Sequence, residues 1–199
     1  MHASSNATHA GKPVNSGRGA PPAGHWTVGV PDGFLQVGMG QLKVGAAGEQ
    51  LQALLGSCVG IALIWKKAGL CALAHCLLPE APGTPEPLHG RFSDPGARYV
   101  SQAVPALLRM LGATEADHHD IQVVLAGGAT MLNGCSSRLQ IGQQNTDAAR
   151  KYLRQCGLHV QYCRVGGKCG RTLTIDCATS SYAVNDIVTT AKTISHANA

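Results

Sequence analysis

Aromatic residues are scarce in this chain of 199 residues: Phe, Trp and Tyr together make up 4%. Nucleic-acid surfaces that stack bases need rows of such rings, so this scarcity speaks against one. Charge is thin as well. Asp, Glu, Lys and Arg total 14%, and the net +5 is scattered, with no dense Lys/Arg block. That balance is weak ground for an acidic partner and poor ground for DNA or RNA. No run of about 18 uncharged apolar residues occurs, so no segment reads as a membrane span. Residues Met1 to Gly24 are rich in Ala, Gly, Ser, Asn and Pro. They lack the contiguous apolar stretch of a secretory signal. The eight cysteines include no Cys-x-x-Cys pair, and no internal repeat is visible.

What is present fits one domain with enough chain to bury a core. The cysteines sit mostly within apolar segments, which reads as a reduced, cytoplasmic protein rather than a disulfide framework. Composition predicts a disordered leader over 1–25, a domain over 26–190 and a flexible tail over 191–199. Order is expected from Trp26 to Val30, a pause at Pro31-Asp32-Gly33, and more order from Leu35 to Val44. A loop from Glu80 to Pro95, with five prolines counting Pro79 at its mouth, excludes regular structure and is long enough to be a flap. Val100, Ala103, Val104, Leu107, Leu108 and Leu111 recur at helical spacing and predict a helix over 96–111, kinked at Pro105. A strand follows at Ile121 to Leu125, ended by Gly127-Gly128. Asn145 is expected to cap a helix over 146–156 that Gly157 closes. Strands over 158–165, 172–177 and 182–188 complete an α/β (α+β) layered sandwich, a mixed β-sheet with packed helices.

The most informative stretch is Leu54-Leu55-Gly56-Ser57-Cys58-Val59-Gly60. It leads into an apolar run from Val59 to Trp65, a break at Lys66-Lys67-Ala68-Gly69, and a second run from Leu70 to Leu78 that carries His75. Two such runs around a short polar break predict a β-hairpin. A loop of Lys66-Lys67 sets Cys58 opposite His75; a loop from Lys66 to Gly69 sets them diagonally. Both registers put the two residues on one face. A thiol and an imidazole held so are a nucleophile and its general base. A free thiol has a pKa of about 8.5, so the base matters at neutral pH. Gly56 and Ser57 supply a turn whose bare N–H groups can hold an oxyanion.

Blander readings compete. A cysteine near an apolar run is usually inert packing, and a lone strand histidine is usually a satisfied one. His89, His118, His119 and His159 have no comparable partner in sequence. Cys71, His75, Cys76, Cys163 and Cys169 could be gathered around zinc, but their spacing is not that of a zinc site. Gly38-Met39-Gly40 and Gly166-Gly167 complete no phosphate-loop pattern and read as turns.

Leu55-Gly56-Ser57-Cys58-Val59, Ala74-His75-Cys76-Leu77-Leu78-Pro79, Ala126-Gly127-Gly128-Ala129, Ile141-Gly142 with Asn145, and Gly166-Gly167 with Arg171 occur in this order. Together, over roughly residues 28 to 178, they resemble the CheD family of chemoreceptor glutamine deamidases. The separation of 17 positions between Cys58 and His75 is similar to the family's. The resemblance implies a cytoplasmic cysteine hydrolase that converts receptor glutamines to glutamate, with Cys58 as nucleophile and His75 as base. It implies no cofactor or metal. The implied partners are the cytoplasmic helices of methyl-accepting chemoreceptors and, in some members, a CheC phosphatase; receptor glutamyl methyl esters are a further substrate. A monomer without nucleic acid or membrane insertion is expected. The family usually carries a threonine five or six residues before the cysteine, where this chain has Ala53 and Gln52. Gln52 is therefore the candidate third member, orienting His75 through its amide. The family also tends to an acidic residue where this chain has Ser101. An adaptor that binds receptor or phosphatase without turnover is the alternative that the missing threonine favours.

Overall fold

The computed structural model describes residues 34–82, 96–130 and 140–187. In chain order the elements are β1 (Phe34–Gln36), β2 (Leu42–Gly45), β3 (Gln50–Leu55), β4 (Val59–Trp65), β5 (Leu70–Cys76), α1 (Val100–Leu111), β6 (Ile121–Gly127), α2 (Ile141–Gln155), β7 (Val160–Val165), β8 (Arg171–Asp176) and β9 (Ser181–Asp186). The expected leader, the strand from Trp26 to Val30, the tail over 191–199 and most of the proline loop lie outside the described residues.

The two apolar runs of the hairpin, β4 and β5, pair antiparallel with Trp65 opposite Leu70 and Gly60 opposite His75. This is the four-residue loop register. Lys66–Ala68 form one 3₁₀ turn, and Gly69 closes it in the left-handed region at φ 66°, which glycine adopts without steric penalty. Because β4 and β5 are covered on both faces, their residues are apolar throughout rather than alternating.

The expected single mixed sheet is two. One has strand order β2-β5-β4-β6-β7 and the other β1-β3-β8-β9. Each is mixed, through the parallel pairs β6/β7 and β1/β3. The second sheet was hidden by β3, whose alternation runs into the apolar pair Leu54-Leu55 and then the turn. In the structure Leu51, Ala53 and Leu55 point inward while Leu54 is exposed. Those inward residues join Leu173 and Ile175 of β8 against Ala62, Ile64, Cys71, Leu73, Val124 and Ala126. On the other side of the five-stranded sheet, Ile61, Leu63, Ala72, Ala74, Val123 and Leu125 meet Val100, Val104 and Leu107 of α1 and Ala149 and Leu153 of α2. The result is sheet, sheet, helices. Each fully buried Leu or Ile contributes about 1.5–3 kcal/mol to this packing.

Both helices start away from their expected positions. The segment 97–99 is held extended by Ala97 N–H donating to Gly40 O and by Leu77 and Leu78 N–H donating to Arg98 O. Helix α1 therefore begins at Val100 and runs through Pro105 to a left-handed cap at Gly112. Helix α2 begins at Ile141, so Asn145 is not its cap but lies in its interior, fully buried. Small residues explain the shift: Gly142 packs on Gly128 and Ala129 so closely that a Cβ would lie 2.5 Å from Gly128 O. No described helix is long and apolar enough to cross a membrane.

Candidate active site

Gly56-Ser57-Cys58 carries the chain from β3 in one sheet to β4 in the other, so the turn sits at one end of the layer between them. All three of its carbonyls are tied back into the protein. Gly56 O accepts from Ala129 N–H at 2.8 Å, Cys58 O from Gly128 N–H at 2.7 Å, and Ser57 O from Asn145 Nδ2 at 3.1 Å. The N–H groups of Ser57 and Cys58 donate to no backbone carbonyl among the described residues. Peptide N–H groups left over when every carbonyl points inward are the parts of an oxyanion site.

The glycines behind the turn are there for close approach. A Cβ on Gly127 would lie 2.3 Å from Cys58 O, and one on Gly128 would lie 2.4 Å from Thr146 Oγ1. Arg171, itself buried, donates from Nη1 to Gly127 O at 3.0 Å and from Nε to Asp186 at 2.9 Å. Gly166 N–H donates to the same Gly127 carbonyl. The Gly166-Gly167 and Arg171 motifs thus brace the Gly127-Gly128 turn, which braces Gly56-Ser57-Cys58.

Alternation along β4 and β5 places Gly60 and His75 on the side meeting the four-stranded sheet. Cys58 lies in the bend just before β4 begins at Val59. Cys58 is partly exposed and His75 is 3% exposed. His75 is clamped from three directions: its N–H donates to Gln41 O, its carbonyl accepts from Gly40 N–H, and Nδ1 lies 3.1 Å from Val37 O. A carbonyl only accepts, so Nδ1 carries the proton and Nε2 presents a lone pair. That Nε2 is buried and has no hydrogen-bond partner among the described residues. Burial lowers the imidazole pKa below its usual value, partly offset by the Val37 bond. Burial also raises the Cys58 thiol, which its own backbone N–H offsets in part. Both shifts favour the neutral thiol and the neutral imidazole, and no hydrogen bond joins the two side chains.

Gln52 does not hold His75 with its amide. Its Nε2 donates to Thr174 Oγ1 at 3.1 Å on the outer row of the four-stranded sheet. The Val37 carbonyl, not Gln52, is the partner of His75 Nδ1. Gln52 touches that arrangement through its backbone, whose carbonyl accepts from Val37 N–H at 2.7 Å. Ser101 Oγ accepts from Ala81 N–H. The cysteines considered for zinc are dispersed: Cys71 and Cys76 lie on opposite sides of β5, and Cys163 and Cys169 are exposed elsewhere. No group of three His, Cys, Asp or Glu that could hold a metal occurs among the described residues.

One contributor escaped the sequence reading, and the role of another was misread. Val37 acts through its carbonyl, which no side-chain pattern signals. Asn145 had a visible signal, the row Gly142, Asn145, Thr146, Ala149 and Leu153 along one helical face. Its Nδ2 donates to Leu77 O at 2.8 Å as well as to Ser57 O.

A family model described as CheD chemotactic sensory transduction matches residues 77–186. The chain belongs to the CheD family. A probable chemoreceptor glutamine deamidase CheD of Bdellovibrio bacteriovorus is 38% identical over 141 residues, covering 70% of this chain and 86% of the relative. A second, from Ruegeria sp. and named CheD 2, is 34% identical over 165 residues, covering 77% and 92%. One from Methanococcus maripaludis is 35% identical over 150 residues, covering 75% and 93%. The family match starts just after His75, but an alignment of 70% of the chain cannot fit beyond residue 77. The likeness to these CheD relatives therefore extends back into the Cys58/His75 hairpin.

Proposed function

We propose that this chain is a chemoreceptor glutamine deamidase of the cytoplasm, acting on glutamine side chains of methyl-accepting receptor helices with Cys58 as nucleophile and His75 as base. What carries the reading is the His75 imidazole: Nδ1 fixed on Val37 O and Nε2 left with a buried, unpartnered lone pair. A buried acceptor without a donor costs free energy and calls for an explanation. A base waiting for a proton supplies one.

In this scheme Nε2 takes the Cys58 proton as sulfur attacks the glutamine Cδ. The C–S bond forms, and the carbonyl π pair moves onto oxygen, held by the Ser57 and Cys58 N–H groups. Collapse of the intermediate expels ammonia, which leaves with the proton from Nε2. Water, deprotonated by the same nitrogen, then cleaves the thioester to glutamate and free thiol. The resting pair is neutral, so the proton moves during attack. Receptor glutamyl methyl esters fit the same steps with methanol leaving in place of ammonia. The product adds a negative charge to a receptor helix. A CheC-like phosphatase is a further proposed partner.

Mass spectrometry of receptor cytoplasmic peptides before and after incubation tests the proposal. Conversion of glutamine to glutamate is expected with the wild-type chain and none with Cys58→Ala. Conversion that survives Cys58→Ala overturns the assignment; receptor binding with no conversion by the wild type selects the adaptor reading.

A further inference from the structure

We infer that Asn145 is a positioning residue for the Cys58/His75 pair, a staple whose two amide hydrogens fix the spacing between the two strands that carry them. This rests on the function proposed above and adds a part to it. Asn145 Nδ2 donates to Ser57 O at 3.1 Å and to Leu77 O at 2.8 Å. Ser57 immediately precedes Cys58, and Leu77 follows His75 by two residues. One nitrogen therefore holds both sides of the open end of the β4/β5 hairpin. The ladder between these strands ends at Val59 opposite Cys76, so beyond that pair this amide bridges the two chains.

Local chemistry disfavours asparagine at this place. It sits inside α2, fully buried, where its side chain competes with helical hydrogen bonding. Its Oδ1 is buried and has no partner among the described residues. An apolar residue of similar size would avoid both penalties, but it would leave the carbonyls of Ser57 and Leu77 without this donor. The two donors are what asparagine supplies. The close seat of α2 delivers them: Gly142 lies against Gly128 and Ala129, and Thr146 against Gly128. Any loosening there lets the Cys58 turn swing relative to the His75 strand, which is clamped separately by Gln41, Gly40 and Val37.

The test is the pH profile of Cys58 alkylation by iodoacetamide in the full chain, resolved by mass spectrometry at the Cys58 peptide because Cys163 and Cys169 are also exposed. With a correctly placed base, Cys58 reacts near neutral pH faster than a buried thiol alone. Asn145→Ala is expected to slow labelling at pH 7 by about 10-fold or more and at pH 10 by less than about 3-fold, a scale set by loss of general-base help. Asn145→Asp keeps the shape but, when ionised, cannot donate; it should behave the same and serves if the alanine variant fails to fold. Leu153→Ala, on the same helix in the apolar core, should lower the melting temperature while keeping the wild-type profile. The inference is overturned if the Asn145 variants keep that profile, or if Leu153→Ala moves it equally. Labelling needs no substrate, so a wild-type chain that converts no receptor glutamine would refute the proposed function and still leave Asn145 decided.

Discussion

At one end of the layer between the sheets, Cys71 of β5 lies close to Cys177 beyond β8. At the other, four residues further along β5, lies His75, buried and with its Nε2 unpartnered among the described residues. Both ends hold sulfur, and both thiols are raised by burial. Of Cys71 and Cys58, Cys71 is raised further, pushed up to about 12 by desolvation first and by Cys177 after it. It is sealed and has only another thiol to receive its proton. Cys58 is partly open and stands on a turn with every carbonyl pulled inward; in the proposed function the His75 lone pair is its proton acceptor. Burial alone does not tell the two thiols apart; in the proposed function, a proton acceptor and the free N–H groups of the turn do.

The contrast breaks most sharply at His75. Replacing it with glutamine should reduce turnover by about 10²–10⁴, the usual range for a general base, measured as ammonia release from receptor peptide. If turnover stays within about threefold, the imidazole is not the base. The pH dependence has a definite sense. The neutral imidazole is the working form and burial lowers its pKa, so the acid limb of the rate should fall below pH 6.5. The unfolded chain takes up this proton first as pH drops. The stabilising contribution is therefore full above about pH 6.5 and lost as pH falls through the folded value.

Gly127→Ala comes next. Its Cβ would meet Cys58 O at 2.3 Å, on a backbone with φ 99°. The turn must move, at a cost of roughly 2–3 kcal/mol of stability, and activity should fall well beyond that seen for a core variant of equal melting temperature. Equal activity loss in the two would mean that Gly127 only supports the fold.

The smallest effect is expected at the inert end. Cys71→Ala removes one buried group, costs about 1 kcal/mol by thermal melting, and leaves turnover within about threefold. It should also flatten the loss of stability at high pH. A thiol whose pKa is raised stabilises fully below its ordinary range and loses that contribution as pH climbs toward about 12.

The hairpin itself was legible in the residues: Val59 to Trp65 and Leu70 to Cys76 flank an unmistakable polar break, and they pair in one of the two registers expected. The inner sheet was less legible. The alternation of β3 is masked by Leu54, an exposed leucine beside a buried one, and β1 is only three residues long. Backbone contributions were invisible for a deeper reason: the carbonyls of Val37 and Gln41 act whatever side chains those residues carry. Asn145 was misplaced because asparagine before a polar helix reads as a cap. The small residues of the preceding turn, Gly142 above all, are what allow the helix to start earlier and bury it.

The most direct measurement is an acid-quenched reaction of the full chain with a glutamine-bearing receptor peptide, digested and searched for acylated cysteine. A hydroxylamine-labile peptide adduct on Cys58, with Cys71 and Cys177 unmodified, is the predicted result. An adduct on another cysteine, or steady ammonia release with Cys58 never acylated, would contradict the assignment.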